Sequence, residues 1–184
     1  EALPQKRNLN PCRSVQAIPV EGVSIWVLCK VDAASAPADN ALISLNWAGA
    51  FVAGYGVYGA GAGQLSSPLD FCVLGTNIYI ADTGNGRISA WTDAGAFSYT
   101  FSNSIYTTNP VSICADATHI YVLDGTTGTI TKWLPGAASA TLVSVFGGDQ
   151  VGQDVSDIRL MADGTTLVVN CQYGTLLNYW TTAG

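Results

Sequence analysis

A short motif that occurs twice constrains the fold of this chain more than any other feature. Residues 80–91 read IADTGNGRISAW, and residues 122–133 read VLDGTTGTITKW. Runs with a side-chain period of two flank both copies, and no window carries a helical stripe. The chain is therefore predicted to be all-β and internally repeated. Two residue pairs align at a spacing of 42 positions: Asp82 with Asp124, and Trp91 with Trp133.

The repeat extends beyond this motif and predicts four similar units. The segment PLDFC at 68–72 returns as PVSIC at 110–114, a third copy follows after a short insertion, and a degenerate copy precedes them. A period near 42 residues with four short strands per unit is typical of a propeller blade. We therefore predict a β-propeller-like array of about four four-stranded blades, the last lacking its outer strand. The predicted blades span about 14–55, 63–101, 106–146 and 153–181, in a single propeller-like domain at 14–184.

One unit also carries a family resemblance. The segments GQLSSP at 63–68 and IYIADTGNGR at 78–87, followed by Trp91 and by GAF at 95–97, resemble the NHL repeat of β-propellers. The match is close at 63–101, moderate at 106–146, partial at 153–181 and weak at 14–55. The resemblance implies a propeller fold, usually of six blades, in a family that includes lyases and other hydrolytic or metal-dependent enzymes.

The repeated turn is interpreted as structural rather than ligand-binding. Asp and Asn side chains hydrogen-bond nearby backbone, and the two glycines of the first copy are expected to supply positive φ. Arg87 is expected to pair with Asp82 or to cover an apolar face with its stem. In the second copy Thr127 and Thr129 replace the Asn and the Arg, so the charged details vary while the turn remains. The predicted structural-turn residues are Asp82, Gly84, Asn85, Gly86, Arg87 and Asp124.

The sequence predicts no catalytic residues and no resident cofactor. His119 is the single histidine, whereas the amidating-lyase type of NHL-like propeller holds its metal with several. Neither a Ser/His/Asp triad nor a zinc set can be assembled. The segment GGDQVGQDVSD has the oxygen-rich character of a weak Ca²⁺ loop, and the alternative is a solvated connection between blades. Its calcium candidates are Asp149, Asp154 and Asp157.

The chain has five cysteines without CxxC spacing. In an oxidising compartment two intramolecular disulfides are expected, and buried thiols in strands are the alternative. Cys12 with Cys171 is the candidate pair, because it would link the start of the chain to the last blade.

Composition narrows the class of protein. The net charge is −6 and charged residues make up 11% of the chain, so a basic footprint for nucleic acid is missing. No apolar run approaches the length of a membrane helix. So few charges suit a surface partly buried in an assembly or an extracellular protein, and an ordinary acidic soluble domain is the alternative.

Residues 1–13 form an N-terminal arm that is a candidate donated or closing strand. Three basic residues against Glu1 give the arm a charge of +2, which leaves −8 on residues 14–184. The arm is expected to close its own ring or to add a strand to the last blade of the next molecule. The chain starts at Glu1 rather than Met, which suggests that an upstream segment was removed.

The functional prediction is a non-enzymatic extracellular assembly subunit that builds a filament, appendage or surface lattice by head-to-tail contacts. Its partner would be another copy, reached through the arm 1–13, and its location would be secreted, on a cell surface or in a virion. The alternative is a closed binding propeller for a glycan, a small ligand or a protein. An NHL-type lyase or hydrolase comes third.

Overall fold

A computed structural model describes residues 12–20, 23–31, 40–148, 155–171 and 178–182 of the chain. All its regular elements are strands, apart from a 3₁₀ turn at Thr83–Asn85. The first sheet contains, in order, β1 (Cys12–Val20), β2 (Val23–Cys29), β3 (Leu42–Leu45) and β4 (Phe51–Tyr55). A short parallel pair, β5 (Val57–Tyr58) and β6 (Gln64–Leu65), connects it to the second sheet.

The next three sheets follow the same plan, with each strand antiparallel to its neighbour in sequence. The second contains β7 (Asp70–Leu74), β8 (Asn77–Asp82), β9 (Arg87–Thr92) and β10 (Phe97–Phe101). The third contains β11 (Pro110–Ala115), β12 (Ile120–Asp124), β13 (Thr129–Pro135) and β14 (Ala140–Gly147). The fourth contains β15 (Val155–Leu160), β16 (Thr166–Cys171) and β17 (Asn178–Thr181).

The first strands of the sheets lie side by side around one axis. β7 contacts both β1 and β11, and β11 contacts β15. Among the described strands no comparable contact joins β15 to β1, so these four sheets form an arc. We refer to β1, β7, β11 and β15 as the inner strands.

Apolar side chains fill the space between successive sheets. Trp26 and Leu28 of the first sheet pack with Phe71 and Ile78 of the second. Corresponding clusters join the second sheet to the third and the third to the fourth. Because each strand alternates its side chains between two faces, a middle sheet contributes to two of these cores. The stack therefore buries apolar residues on both faces of its middle sheets.

The two repeated tryptophans occupy equivalent places in these cores. Trp91 lies between the first and second sheets, and Trp133 lies between the second and third. Each indole Nε1 donates to a hydroxyl two residues earlier, Ser89 Oγ and Thr131 Oγ1, at 2.9 Å in both cases. This shared geometry explains why the tryptophan recurs with the repeat, since both the ring and its polar atom are satisfied in the core.

The predicted fold class is confirmed: the chain is an all-β, propeller-like array of four sheets, and within the described residues the last sheet has three strands. β1 begins at Cys12, so the last two residues of the predicted arm belong to the first sheet. Residues 1–11 lie outside the described residues. No helix in the described part of the chain has the length and hydropathy needed to cross a membrane.

Candidate binding cleft

Three inner strands place a polar residue at the same position of the repeat. Asp70 lies on β7, Ser112 on β11 and Asp157 on β15. Two positions further along these strands are Cys72, Cys114 and Arg159, which line one cavity together. Asp70, Ser112 and Asp157 are separated along the chain by 42 and 45 residues. Because the inner strands lie side by side, equivalent positions of successive units meet near the axis, and these three side chains contact one another.

Ser112 is the centre of this cluster and is almost fully buried. Its Oγ lies 2.7 Å from Asp70 Oδ2 and 2.8 Å from Asp157 Oδ1. The Ile158 N–H donates to Ser112 Oγ at 3.2 Å, and the Ile113 N–H donates to Asp70 Oδ2 at 3.2 Å. The cluster therefore links the backbone of β11 and β15 to a carboxylate on β7.

Arg159 completes the cluster from the strand that also carries Asp157. Its Nη1 donates to Asp70 Oδ2 at 2.9 Å, and its Nη2 donates to Asp157 Oδ1 at 3.0 Å. Nη1 also approaches the Ile158 carbonyl at 3.0 Å. Partial burial by itself would lower the pKa of Arg159, but the two carboxylates raise it above its usual value. The guanidinium is thus a permanent positive charge that joins β7 to β15.

A cavity of about 430 Å³ opens on this cluster. A smaller one of about 220 Å³ is also lined by Arg159, together with residues of β7, β11 and β15. Both cavities are bounded by inner strands, so the cleft follows the axis of the arc. The lining residues of the larger cavity are Asp70, Ser112, Asp157 and Arg159, with Leu69, Val111, Val155 and Ser156.

Two buried cysteines line the smaller cavity. Cys72 and Cys114 are free thiols at equivalent positions of β7 and β11. Burial raises the pKa of Cys72 well above its usual value and that of Cys114 to about 12. Both groups are therefore thiols rather than thiolates near neutral pH, and their nucleophilicity is low.

The candidate pair Cys12 and Cys171 stays a prediction, because both side chains lie outside the described part of the structure. The register of the first sheet places the Cα of Cys12 opposite that of Cys29.

One of the three candidate calcium residues lies in the cleft, and the other two, Asp149 and Asp154, lie outside the described residues. Asp157 belongs to the cleft, where Arg159 and Ser112 contact its Oδ1. The described residues contain no cluster of three metal-ligating side chains. The calcium loop stays a prediction, and the role that the geometry gives Asp157 is a different one.

The turn of the second sheet is organised by a fully buried carboxylate, that of Asp82. Its Oδ1 accepts from the Ser66 N–H at 2.7 Å, and Asn85 Nδ2 contacts both carboxylate oxygens at 3.1 and 2.9 Å. Arg87 Nε donates to Asp82 Oδ2 at 2.8 Å. Burial raises the pKa of Asp82 by more than these hydrogen bonds lower it, so it lies above the usual value.

The same turn holds the glycine-rich connection between the first and second sheets. Arg87 donates from Nη1 to the Ala60 carbonyl at 2.9 Å and from Nη2 to the Gly61 and Gln64 carbonyls at 3.1 and 3.0 Å. Asn85 Nδ2 also reaches the Gly59 carbonyl at 2.9 Å. Asn85 and Arg87 therefore fasten a loop that is distant in sequence, which is a structural role.

The turn of the third sheet surrounds Asp124 with backbone donors. The N–H groups of Thr108 and Asn109 donate to Asp124 Oδ2 at 2.7 and 2.8 Å. Those of Thr126 and Thr127 donate to Oδ1 at 2.9 and 3.0 Å. Burial acts to raise the pKa of Asp124, but these four hydrogen bonds outweigh it and lower the pKa below its usual value.

The expectation that both turn glycines have positive φ is wrong for Gly84. Gly86 is left-handed, with φ of 61°, but Gly84 is not among the positive-φ residues. A Cβ on Gly84 would lie 2.7 Å from the Ser66 carbonyl oxygen. Glycine is needed at 84 because the chain passes close to another backbone segment, and a contact of that kind leaves no local signal in the sequence.

His119 takes part in a hairpin rather than in the cleft. Its backbone N–H donates to Asp116 Oδ1 at 2.7 Å, and its Nδ1 lies 2.7 Å from Thr118 Oγ1. Tyr121 Oη donates to Asp116 Oδ2 at 2.6 Å. Burial would raise the pKa of Asp116, but hydrogen bonds from Tyr121, Thr118 and His119 lower it to about 2. The geometry joins no serine nucleophile to this histidine among the described residues.

Sequence reasoning missed most of the cleft. Asp70, Ser112 and Arg159 were not singled out, and Asp157 was assigned only to a calcium loop. The signal that could have found them is the repeat, because Asp70 and Ser112 occupy the same place in PLDFC and PVSIC. Aligning the inner strands of all units shows which polar residues share the axis.

Comparison with solved structures defines the class of fold. The chain resembles streptogramin B lyase with a TM-score of 0.70 and 14% identity, over 97% of this chain and 54% of that one. The WD40 repeats of RRP9 match with a TM-score of 0.63 and 14% identity, over 96% and 52% of the two chains. Hydrazine synthase of Kuenenia stuttgartiensis matches with a TM-score of 0.64 and 12% identity, over 99% and 50%.

These likenesses show that the chain has a β-propeller fold. It spans about half the length of each of these three chains. No protein-family profile matches the sequence, and no curated protein matches it. Within the β-propeller class, the resemblance to NHL repeats stays a prediction that rests on residues 63–101.

Proposed function

We propose that this chain is a non-enzymatic, extracellular assembly subunit whose last sheet accepts a strand from a second copy. The observation that carries the proposal is the edge of the fourth sheet. The first three sheets each end in a fourth strand, whereas the described part of the fourth sheet ends at β17. A bare strand edge is a ready template for pairing with another chain, and proteins seldom leave it uncovered.

The ladder between β16 and β17 defines which groups face the open edge. Thr182 N–H donates to the Thr165 carbonyl at 2.7 Å, so this pair is hydrogen-bonded. Hydrogen-bonded and non-bonded pairs alternate in an antiparallel ladder. Tyr179 and Thr181, which lie opposite Val168 and Thr166, therefore direct their backbone N–H and C=O groups away from β16. These groups are the acceptor site for a donated strand.

Residues 1–11 are the proposed donor. This segment precedes β1, and a donated strand needs only a few residues, because the fourth strands of the first three sheets have five, five and eight. Glu1, Lys6 and Arg7 give residues 1–11 a charge of +1, which leaves −7 on the rest of the chain because the total is −6. Opposite charges favour the association at low salt. A head-to-tail contact of this type builds a filament unless its rotation closes.

The test compares oligomer size by sedimentation and by negative-stain imaging. We expect the intact chain to form head-to-tail oligomers, and a chain that lacks residues 1–11 to stay monomeric. Thr181→Pro removes an outward N–H from β17 and should also shift the distribution to monomers. A synthetic peptide of residues 1–11 should cap the oligomers of the intact chain.

Two controls separate the edge from general destabilisation. Thr181→Val keeps the N–H and should assemble as the intact chain does. Val145→Pro makes the matched change on β14, where Val145 is paired with Thr131 and has its N–H directed away from β13. It should still assemble. An intact chain that is monomeric at high concentration would overturn the proposal, and normal assembly of Thr181→Pro would remove β17 as the acceptor.

The axial cleft supports a second candidate function, that of a binding propeller. Its cavity of about 430 Å³ is within the range of small-molecule pockets, and a buried carboxylate lies at its wall. A glycan array and a small-molecule screen on the monomeric Thr181→Pro variant would test this function separately from assembly. Complete absence of saturable binding would exclude it.

A further inference from the structure

The cluster on the inner strands contains more hydrogen-bond acceptors than donors. Ser112 lies within 2.8 Å of carboxylate oxygens on both Asp70 and Asp157, yet its hydroxyl has one proton to donate. The same hydroxyl oxygen already accepts from the Ile158 N–H at 3.2 Å and from Arg159 Nη1 at 3.3 Å, so both of its lone pairs are used. One of the two short contacts from Ser112 therefore lacks a proton, unless a donor comes from elsewhere.

Asp70 has a second unmet requirement. Its Oδ2 accepts from Ser112, from the Ile113 N–H and from Arg159. Its Oδ1 has no hydrogen bond within the described residues, although Asp70 is only 4% exposed. A buried carboxylate oxygen without a donor costs free energy, and such atoms usually mark a bound water, ion or ligand. Asp157 Oδ2 likewise has no hydrogen bond in the described part of the chain, and both residues line the larger cavity.

The cluster also carries a net negative charge, which favours a positively charged donor. Two carboxylates oppose one guanidinium, so the formal charge around the cavity is −1. Among the described residues no other ionisable side chain lines it, and Leu69, Val111 and Val155 form an apolar wall. A fitting ligand therefore has one positive charge, several N–H donors, no need of acceptors and an aliphatic part.

We propose that the axial cavity binds a primary alkylammonium group, as found in a small aliphatic amine or a lysine side chain. An ammonium supplies three donors and no acceptor, which suits Asp70 Oδ1 and Asp157 Oδ2, the two carboxylate oxygens without a donor among the described residues. The alkyl part packs on the apolar wall. A divalent cation is less suited, because the Arg159 guanidinium lies 2.9 Å from Asp70 and 3.0 Å from Asp157. The proposal is independent of strand donation at β17.

The test is a chemical-shift titration of the ¹⁵N-labelled full chain with pentylamine. We expect saturable shifts centred on the amides of Ser112, Ile113 and Ile158. Pentanol, which has the same aliphatic length but no charge, should give no saturable shifts at these amides. Calcium and sorbitol are titrated in parallel.

The decisive variant is Asp157→Asn, because this side chain is 36% exposed and its replacement should leave the fold intact. It should weaken pentylamine binding at least about tenfold, since a charge-assisted hydrogen bond is lost. Asp93→Asn is the matched control, because Asp93 carries the same carboxylate outside the cavity and no side-chain hydrogen bond is seen for it among the described residues. Its affinity should be unchanged.

Three results would overturn the proposal. Equal binding of pentanol and pentylamine would show an apolar cavity without ammonium recognition. Tighter binding of calcium or sorbitol than of the amine would assign another ligand class. Unchanged affinity in a folded Asp157→Asn protein would place the amine elsewhere. The titration is repeated on the Thr181→Pro variant, which should be monomeric. Binding that is the same in both proteins belongs to the cleft and does not depend on assembly.

Discussion

The turns of the second and third sheets carry out the same task with different chemistry. Asp82 and Asp124 are both fully buried at the end of a second strand. Asp82 obtains its donors from the side chains of Asn85 and Arg87 and from one backbone N–H. Asp124 obtains four backbone N–H groups. What the repeat requires is the carboxylate, while the donors are exchangeable.

The exchange has an electrostatic consequence. Burial dominates at Asp82 and raises its pKa, whereas backbone hydrogen bonds dominate at Asp124 and lower its pKa. A carboxylate surrounded by several backbone N–H groups is well solvated by the protein and favours its ionised form. The third sheet therefore holds the ionised aspartate more favourably than the second, although Arg87 lies beside Asp82.

The largest difference in unfolding free energy between the two turns should come from substitution of the residue after the left-handed glycine, which is Arg87 in the second sheet and Thr129 in the third. Arg87→Met removes the ion pair to a buried carboxylate and three bonds to loop carbonyls, and we expect a loss of about 2–3 kcal/mol. Thr129→Val at the equivalent position should cost about 0.5 kcal/mol, as for an ordinary surface change. Urea unfolding of both variants measures the difference. Equal losses would show that Arg87 contributes no more than its aliphatic stem.

The next difference concerns glycine at position 84. Gly84→Ala places a Cβ against the Ser66 carbonyl and should cost about 2 kcal/mol, because the obstacle is backbone. Thr126 occupies the equivalent place in the third sheet and already has a Cβ. Thr126→Ala should therefore cost less than about 1 kcal/mol. A neutral Gly84→Ala, in the same unfolding assay, would contradict the close approach of the two segments.

The two aspartates should respond to pH in opposite directions. Asp124, with its lowered pKa, contributes stability that is present above pH 3.8 and is lost as pH falls through its folded-state pKa. Asp82, with its raised pKa, contributes stability that is present below pH 3.8 and is lost as pH rises through its folded-state pKa. Unfolding free energies of Asp124→Asn and Asp82→Asn, measured from below to above pH 3.8, should differ from wild type with opposite slopes. Slopes of the same sign for the two variants would contradict the opposite pKa shifts of Asp82 and Asp124.

The smallest difference is expected where the two repeats agree. Trp91→Phe and Trp133→Phe each lose one indole hydrogen bond to a buried hydroxyl, and each should cost about 1 kcal/mol for that bond. Thermal unfolding of the two variants should give shifts of the same size. A much larger shift for one of them would show that the two cores between sheets are not equivalent.

The sequence predicted the strands well because their signals are local. Alternation of apolar residues and the spacing of 42 positions placed the strands of four units, and the recurring Trp91 and Trp133 pointed to packing between blades. The cleft was missed because its members are far apart: Asp70 and Arg159 are separated by 89 residues and meet only when three sheets stack. The direction of the pKa shift at Asp82 was equally hidden, because the burial of this side chain in the folded structure decides it.

By itself, the sequence determined the repeat, the number of units and the residues of each turn, because these depend on strand period and on short-range hydrogen bonds. The tertiary structure alone decided that Gly84 lies against Ser66, that Arg87 holds the loop at 59–64, and that Asp70, Ser112, Asp157 and Arg159 share a cavity. These contacts follow from the angle and offset between successive sheets. Many apolar side chains set that geometry together, and no single motif encodes it.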